Sequence, residues 1–268
     1  MNTKELRELK AKYNPEGSPL RDLQYRLLDI LVAFDKFASE HNIEYSISYG
    51  TLIGAVRHQG FIPWDDDADI MMTREQWTRL KTFIAGDGHL TDEIFIRGVV
   101  RPEIHMVNKG IVDIFIYDYV PKNIFGDIVK TATCMLLSLL VKCKSRIVHK
   151  HFRRIKPWFL LLPLAAPFKM STLVRWKEKA SLWFSPEEIK PDDLVCLYRT
   201  GGPKDMLVRH PYGLLLGDRL RVPFENRLFP VIPQYDDFLR IWYGDYMQLP
   251  ARPTNLGRVT DENLCEIR

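Results

Sequence analysis

The stretch that decides the fold is Tyr49-Gly-Thr-Leu-Ile-Gly-Ala-Val-Arg-His-Gln-Gly-Phe-Ile-Pro-Trp-Asp-Asp-Asp-Ala-Asp-Ile-Met-Met72. Four carboxylates, Asp65, Asp66, Asp67 and Asp69, fall within five positions and are flanked by apolar residues. Carboxylates this close repel one another and raise each other's pKa unless a cation neutralises them. A divalent metal is the simplest such cation, and metal bound together with phosphate is the commonest reason to build such a site.

Reading outward, Ile43 to Tyr49 alternates apolar and polar residues, which predicts a strand that ends at Gly50. Thr51 is placed to cap a short helix running to about His58, and the backbone N–H groups of such a start, with a hydroxyl beside them, favour an anion. Gln59-Gly60 closes the helix, and Pro63 makes Phe61–Trp64 a turn. Asp67 to Met72 reads as a second strand, with Asp67 and Asp69 on one face and Ala68 and Ile70 on the other. Thr73 then caps a helix to about Ile84, with Gln76 in the capping-box position. Upstream, Ser18-Pro19 starts an amphipathic helix from Leu20 to about His41. Downstream, Gly110 to Asp118 is an apolar strand interrupted by Asp113, a buried carboxylate that needs a partner: a metal, a salt bridge or the backbone.

The 268 residues suffice for one large domain or two small ones, and a hydrophobic fraction of 46% is ordinary for a folded protein. The cysteines at 134, 143, 196 and 265 form no Cys-x-x-Cys pair, which argues against a zinc site or a disulfide framework. The net charge of +4 hides a segregation. Residues 128–177 hold 11 of the 38 Lys and Arg and no acid, leaving 27 basic against 34 acidic residues elsewhere. Within this block, Ile128 to Val141 is an apolar run too short to span a bilayer. Lys142 to Lys156 carries seven Lys or Arg and two His, and Trp158 to Val174 is apolar again with Pro163 and Pro167 inside it. The block reads either as helices lying along an anionic membrane face or as a helical subdomain with a solvated basic face. The irregular aromatics argue against nucleic acid. Beyond it come a short strand near Val195–Tyr198, a hairpin over Arg221–Val231 turning near Asn226, and a helix from Gln234 to Tyr243 closed by Gly244.

If the strands bearing Asp67, Asp69 and Asp113 are neighbours, the three carboxylates converge where a pair of Mg²⁺ ions would clamp a phosphate for in-line displacement, opposite the Gly50-Thr51 turn. A strand, a Gly-Thr turn, a helix, Asp-x-Asp and a later Asp-bearing strand together resemble the nucleotidyltransferase fold typified by DNA polymerase β. The whole run from Gly50 to Asp69 resembles the signature of the LicD family, the phosphocholine transferases related to fukutin. Val112-Asp-Ile-Phe115 and Tyr243-Gly-Asp-Tyr-Met-Gln-Leu-Pro250 resemble further family elements. The resemblance covers roughly residues 20–120 and 220–253 and fades over 121–190. Ala68 departs from the aliphatic residue usual at that position.

The resemblance implies an α+β fold, with a nucleotidyltransferase-like mixed sheet flanked by helices and a helical insertion. The expected organisation is a catalytic core over 1–120, a basic and apolar helical insertion over 121–190, and a C-terminal part over 191–268 completing the core and pocket. It implies transfer of phosphocholine, or a similar phospho-alcohol, from a CDP-linked donor to a hydroxyl of a cell-surface glycan of lipopolysaccharide, capsule or teichoic acid type, with release of CMP. The expected cofactor is Mg²⁺ as two ions, with Mn²⁺ as substitute, held by Asp67, Asp69 and Asp113. Asp113 is the candidate to take the acceptor proton. Gly50 and Thr51 would face phosphate. Arg57 and His58 would meet the donor or form structural hydrogen bonds to the loop at 60–66. Trp64 would stack on the base or the choline, or anchor the turn. Asp66 would orient a ligand. The alternatives are a nucleotidyltransferase releasing pyrophosphate and a non-catalytic, membrane-docked glycan-binding module. The expected location is cytoplasmic, peripheral on the inner face of a membrane that carries the glycan's lipid anchor.

Overall fold

A computed structural model describes residues 3–98, 101–148 and 162–250. The fold is α+β, with a mixed sheet of parallel and antiparallel strands flanked by helices. Contacts divide the chain into two compact units. The first comprises 1–97, 102–114 and 217–268, and the second 98–101 and 115–216.

The first unit begins with α1 (Thr3–Tyr13) and α2 (Pro19–Glu40). Ser18 caps α2 by accepting the Arg21 N–H at 3.2 Å, and Pro19 occupies the first turn, where its missing donor costs nothing. The apolar stripe of α2 delivers Ile30, Leu31 and Phe34 to the interior, where all are fully buried. The sheet follows with β1 (Ser46–Ile47), β2 (Asp69–Thr73), β3 (Ile94–Arg97), β4 (Glu103–Met106) and β5 (Gly110–Tyr119). Its order is β1-β2-β5-β4-β3, and α2 packs on β3 and β4. Between β1 and β2 the chain makes α3 (Tyr49–Ile53), which runs directly into a π-helical turn over Gly54–His58. α4 (Arg74–Lys81) leaves β2, and the hairpin β8 (Leu220–Phe224) and β9 (Arg227–Val231) precedes α8 (Tyr235–Tyr243), closed by Gly244.

Several expected boundaries shift. The strand expected from Ile43 shrinks to Ser46–Ile47, and the one expected from Asp67 begins at Asp69, so Asp67 lies in the loop before β2. Thr51 does not cap α3. That helix starts at Tyr49, and Thr51 Oγ1 instead accepts the Asp69 N–H at 2.9 Å. Thr73 does cap α4, accepting the Gln76 N–H at 3.4 Å, but the Gln76 side chain accepts from the Glu44 N–H instead of closing a capping box. α4 also stops at Lys81, short of Ile84.

The second unit holds the remainder of β5, α5 (Ile124–Val148), α6 (Leu162–Ala165), α7 (Met170–Ser181), β6 (Leu194–Cys196) and β7 (His210–Pro211). Residues 191–216 join this unit because β6 pairs with β5 at Asp118↔Cys196 and Tyr119↔Val195. The compact units therefore divide the chain at 114 and 216, whereas the expected segments divided it at 120 and 190. Helix α5 is far longer than the apolar run 128–141, since Lys142 and Lys144 are good helix formers that extend it. By length and composition alone, Ile124–Ser145 is long and apolar enough to cross a membrane. The basic run 149–156, the apolar positions 157–161 and the C-terminal loop 251–268 lie outside the described residues.

Candidate active site

The acidic loop is positioned from both of its ends. At the far end, Asp69 opens β2. Its N–H is held by Thr51 Oγ1, and its carbonyl accepts the Ser48 N–H at 3.0 Å. One residue earlier, the Ala68 carbonyl accepts the Asp113 N–H from β5 at 3.0 Å. Asp113 therefore lies directly beside the Asp67-Ala68-Asp69 segment in the sheet. It is half-buried on the face that alternates with the buried Val112 and Ile114. Within the loop, Asp65, Asp66 and Asp67 each offer a carboxylate oxygen, and these oxygens lie within 4.8 Å of one another. Asp65 and Asp66 are half-buried and Asp67 is exposed, while Asp69 is buried.

Asp65 is absent from the ligand set expected from the sequence, Asp67, Asp69 and Asp113. Its carboxylate lies against the first turn of α3. A Cβ on Gly50 would stand 2.6 Å from Asp65 Oδ2, so only glycine leaves this approach open. Tyr49, just before it, holds φ at +49°, a left-handed conformation that costs a non-glycine residue about 1–2 kcal/mol. Its ring is anchored on Phe238 and Trp242 of α8. The signal for Asp65 in the sequence was the Gly50 it abuts, but proximity across 15 residues is invisible before folding.

Residues 42–124 match the family described as LicD/FKTN/FKRP, nucleotidyltransferase domain. Over these residues the chain is similar to the LicD-family domain. It is 29% identical over 252 residues to the lipopolysaccharide cholinephosphotransferase LicD of Haemophilus influenzae, covering 86% of this chain and 92% of that protein. An uncharacterized protein of Rickettsia prowazekii is 50% identical over 73 residues, covering 27% of this chain and 26% of that protein. One of Rickettsia typhi is 60% identical over 37 residues, 14% of this chain and 12% of that protein.

The matched region contains every residue singled out above for the site, from Gly50 to Asp113. The two basic residues among them hydrogen-bond to partners other than the loop at 60–66. Arg57 does not reach the loop at 60–66. Its Nη1 donates to the carbonyls of Tyr246 at 2.6 Å and Gln248 at 2.9 Å, bracing the C-terminal segment. Arg57 also edges a cavity of about 560 Å³ lined by Glu5, Leu9, Lys12 and Met247. Its Nε donates to His58 Nε2 at 2.9 Å. His58 is fully buried, and burial followed by the adjacent Arg57 charge pushes its pKa down to about 3. It is a neutral acceptor, unsuited to neutralising a phosphate. Trp64 is buried with its ring edge-on to Tyr13 and His58, which is the arrangement of a turn anchor.

A buried polar bracket holds the other end of the acidic loop. Gln24 of α2 donates to the Ile62 carbonyl at 3.2 Å and the Asp65 carbonyl at 2.9 Å. Arg21 donates to Gln24 Oε1 and forms a two-pronged pair with Glu225, at 3.0 and 2.8 Å. Glu225 in turn accepts the Phe61 N–H at 3.1 Å. Burial pushes the Glu225 carboxyl up, but the Arg21 hydrogen bond and the Lys10 charge outweigh it and hold the pKa below the ordinary value. Gly60 lies so close to Glu225 that no Cβ would fit between them. The sequence suggests no role for Glu225, which sits at the turn of the β8–β9 hairpin.

The donor set fits a hard divalent cation. All candidate ligands are carboxylate oxygens, three of them gather in one place, and no cysteine or histidine is among them.

Proposed function

We propose that the chain transfers phosphocholine, or a closely related phospho-alcohol, from a CDP-linked donor to a hydroxyl of a cell-surface glycan, releasing CMP. The observation that carries this reading is the Asp113 N–H bond to Ala68, which sets the third aspartate beside the Asp67-x-Asp69 pair in a region similar to the LicD-family domain. The relative named a lipopolysaccharide cholinephosphotransferase supports phosphocholine as the group and lipopolysaccharide as the class of acceptor.

In this reading Asp67, Asp69 and Asp113 hold Mg²⁺, with Asp65 added to the set and Asp66 orienting it. The bound ion would supply charge neutralisation across the diphosphate and its leaving group. The N–H groups around Gly50 and Thr51 face the phosphate oxygens. Asp113 accepts the proton of the attacking hydroxyl. Arg57 and His58 form the brace behind the site. The acceptor hydroxyl attacks the phosphorus that carries the alcohol, and the bond to the CMP oxygen breaks. We propose that this takes place in the cytoplasm, on the inner face of the membrane.

The test is a panel of CDP-choline, CDP-ethanolamine, CDP-ribitol and CDP-glycerol with Mg²⁺ and a lipopolysaccharide acceptor, scored by CMP release. One donor is expected to turn over, and Asp69→Ala to lower the rate by about a hundredfold or more. Removal of divalent ions by chelation should abolish turnover and restoring Mg²⁺ should return it. Pyrophosphate release from CTP, with no CMP from any CDP-alcohol, would replace this reading with nucleotidyl transfer.

A further inference from the structure

Helix α5 carries large apolar side chains on its outer face as well as its inner one. Its inner face buries Cys134, Leu137, Leu140 and Val141 in the core of the second unit, but it also buries Lys130, whose Nζ donates to the Tyr119 carbonyl at 2.7 Å. Its outer face exposes Phe125, Ile128 and Leu136, at helical spacing, and ends at the exposed Lys142. Ile124, beside Phe125, is 78% exposed. A charge is thus inside while large apolar side chains are outside. A surface helix in water normally shows the reverse. The neighbouring helix α7 packs along α5 and adds exposed Trp176 next to exposed Arg175. The turn after α7 exposes Trp183 and Phe184.

We propose that the outer face of α5, with the aromatic and basic positions of α7, lies in the headgroup region of an anionic lipid bilayer. Two observations select this occupant. First, residues 128–177 carry 11 Lys and Arg and no acid, and although Lys130 and Lys177 are buried, the remaining cations of this stretch attract an anionic surface and repel the same stretch of a second copy. Second, 39% of the apolar window of α5 is buried against the unit's own core, which a helix crossing the bilayer on its own would not allow. The helix lies in the interface with one face in lipid. Exposed tryptophans beside cationic side chains are the side chains that a membrane–water boundary favours. This surface is independent of the transferase reading and stands or falls without it.

The test is flotation of the full chain with vesicles of phosphatidylcholine alone and of equimolar phosphatidylcholine and phosphatidylglycerol. The chain is expected to float with the anionic vesicles and to be released by high salt. The variant Phe125→Asn/Ile128→Asn/Leu136→Asn alters only solvent-facing positions, so its circular dichroism and thermal midpoint should match the parent. Its partition onto anionic vesicles should fall by about tenfold or more. Three results would each overturn the proposal: a parent chain that stays at the bottom with both vesicles, a folded triple variant that floats as the parent does, or a parent dimer that the triple substitution turns into a monomer while neither floats.

Discussion

A methyl group on Gly50 would press on the Asp65 carboxylate at 2.6 Å, so Gly50→Ala tests whether that carboxylate matters. The side chain of Asp65 must swing aside, which costs little stability because the close contact is with the free end of a flexible side chain. If Asp65 shares the cation, Mg²⁺ affinity measured by calorimetry drops with it. Unchanged affinity would remove Asp65 from the ligand set. His58 sets a second expectation at this scale. Its folded pKa of about 3 lies below the ordinary 6.5, so the unfolded chain takes up a proton that the folded chain refuses. Stability is full above pH 6.5 and falls as the pH drops toward 3, by up to about 1.4 kcal/mol per pH unit. His210, lowered by burial to about 4, adds the same slope between 6.5 and 4. Between pH 6.5 and 4.5, above the range in which Glu225 titrates, denaturation midpoints should show His58→Gln keeping the His210 slope and losing the His58 one. Neither residue's behaviour was legible in the sequence. Burial of His58 depends on Trp64 and on the π-helical turn, and π-helical turns leave no periodic trace.

The elements that were legible are those whose signal is local. The α2 helix carries its own cap and stripe, the β8–β9 hairpin turns at Glu225-Asn226, and α8 ends at its glycine. Each was predicted to within a few residues. The bracket that ties them to the acidic loop was not, because it joins Arg21 to Glu225 across 204 positions of sequence and Gln24 to Asp65 across 41. Its energetics can be tested directly. Glu225→Gln leaves the buried Arg21 with only the exposed Glu16 as a charge partner, which costs about 3 kcal/mol. Replacing both, as Arg21→Met/Glu225→Leu, removes both charges and should recover most of that loss in denaturant midpoint. Yet the double variant still lacks an acceptor for the Phe61 N–H, so its turnover should stay low although its stability returns. Turnover that recovers together with stability would make the bracket a matter of folding alone. Because Glu225 is held below its ordinary carboxyl pKa, its stabilisation is present above about pH 4.5 and fades as the pH falls further.

At the scale of the whole chain, two kinds of surface chemistry are segregated in sequence and fall in different compact units. The acid-rich part holds the aspartates of the site, and the acid-free part holds α5 beyond Asp127 and the start of α7. That segregation was visible in the charge count before any fold, whereas the boundary at 216 depends on β6 pairing back onto β5. The division makes a prediction about ligand linkage. A donor and Mg²⁺ that bind the folded site stabilise what they bind by about 2.7 kcal/mol at a hundred times their dissociation constant. If the units open separately, that gain belongs to the first alone. Hydrogen exchange with CDP-choline and Mg²⁺ present should then slow about a hundredfold for slowly exchanging amides of α2, β2 and the segment 110–114. Amides of α5 and α7 should keep their rates. Equal slowing in both sets would mean that the two units open as one, and the stabilisation by ligand would be shared over the full chain.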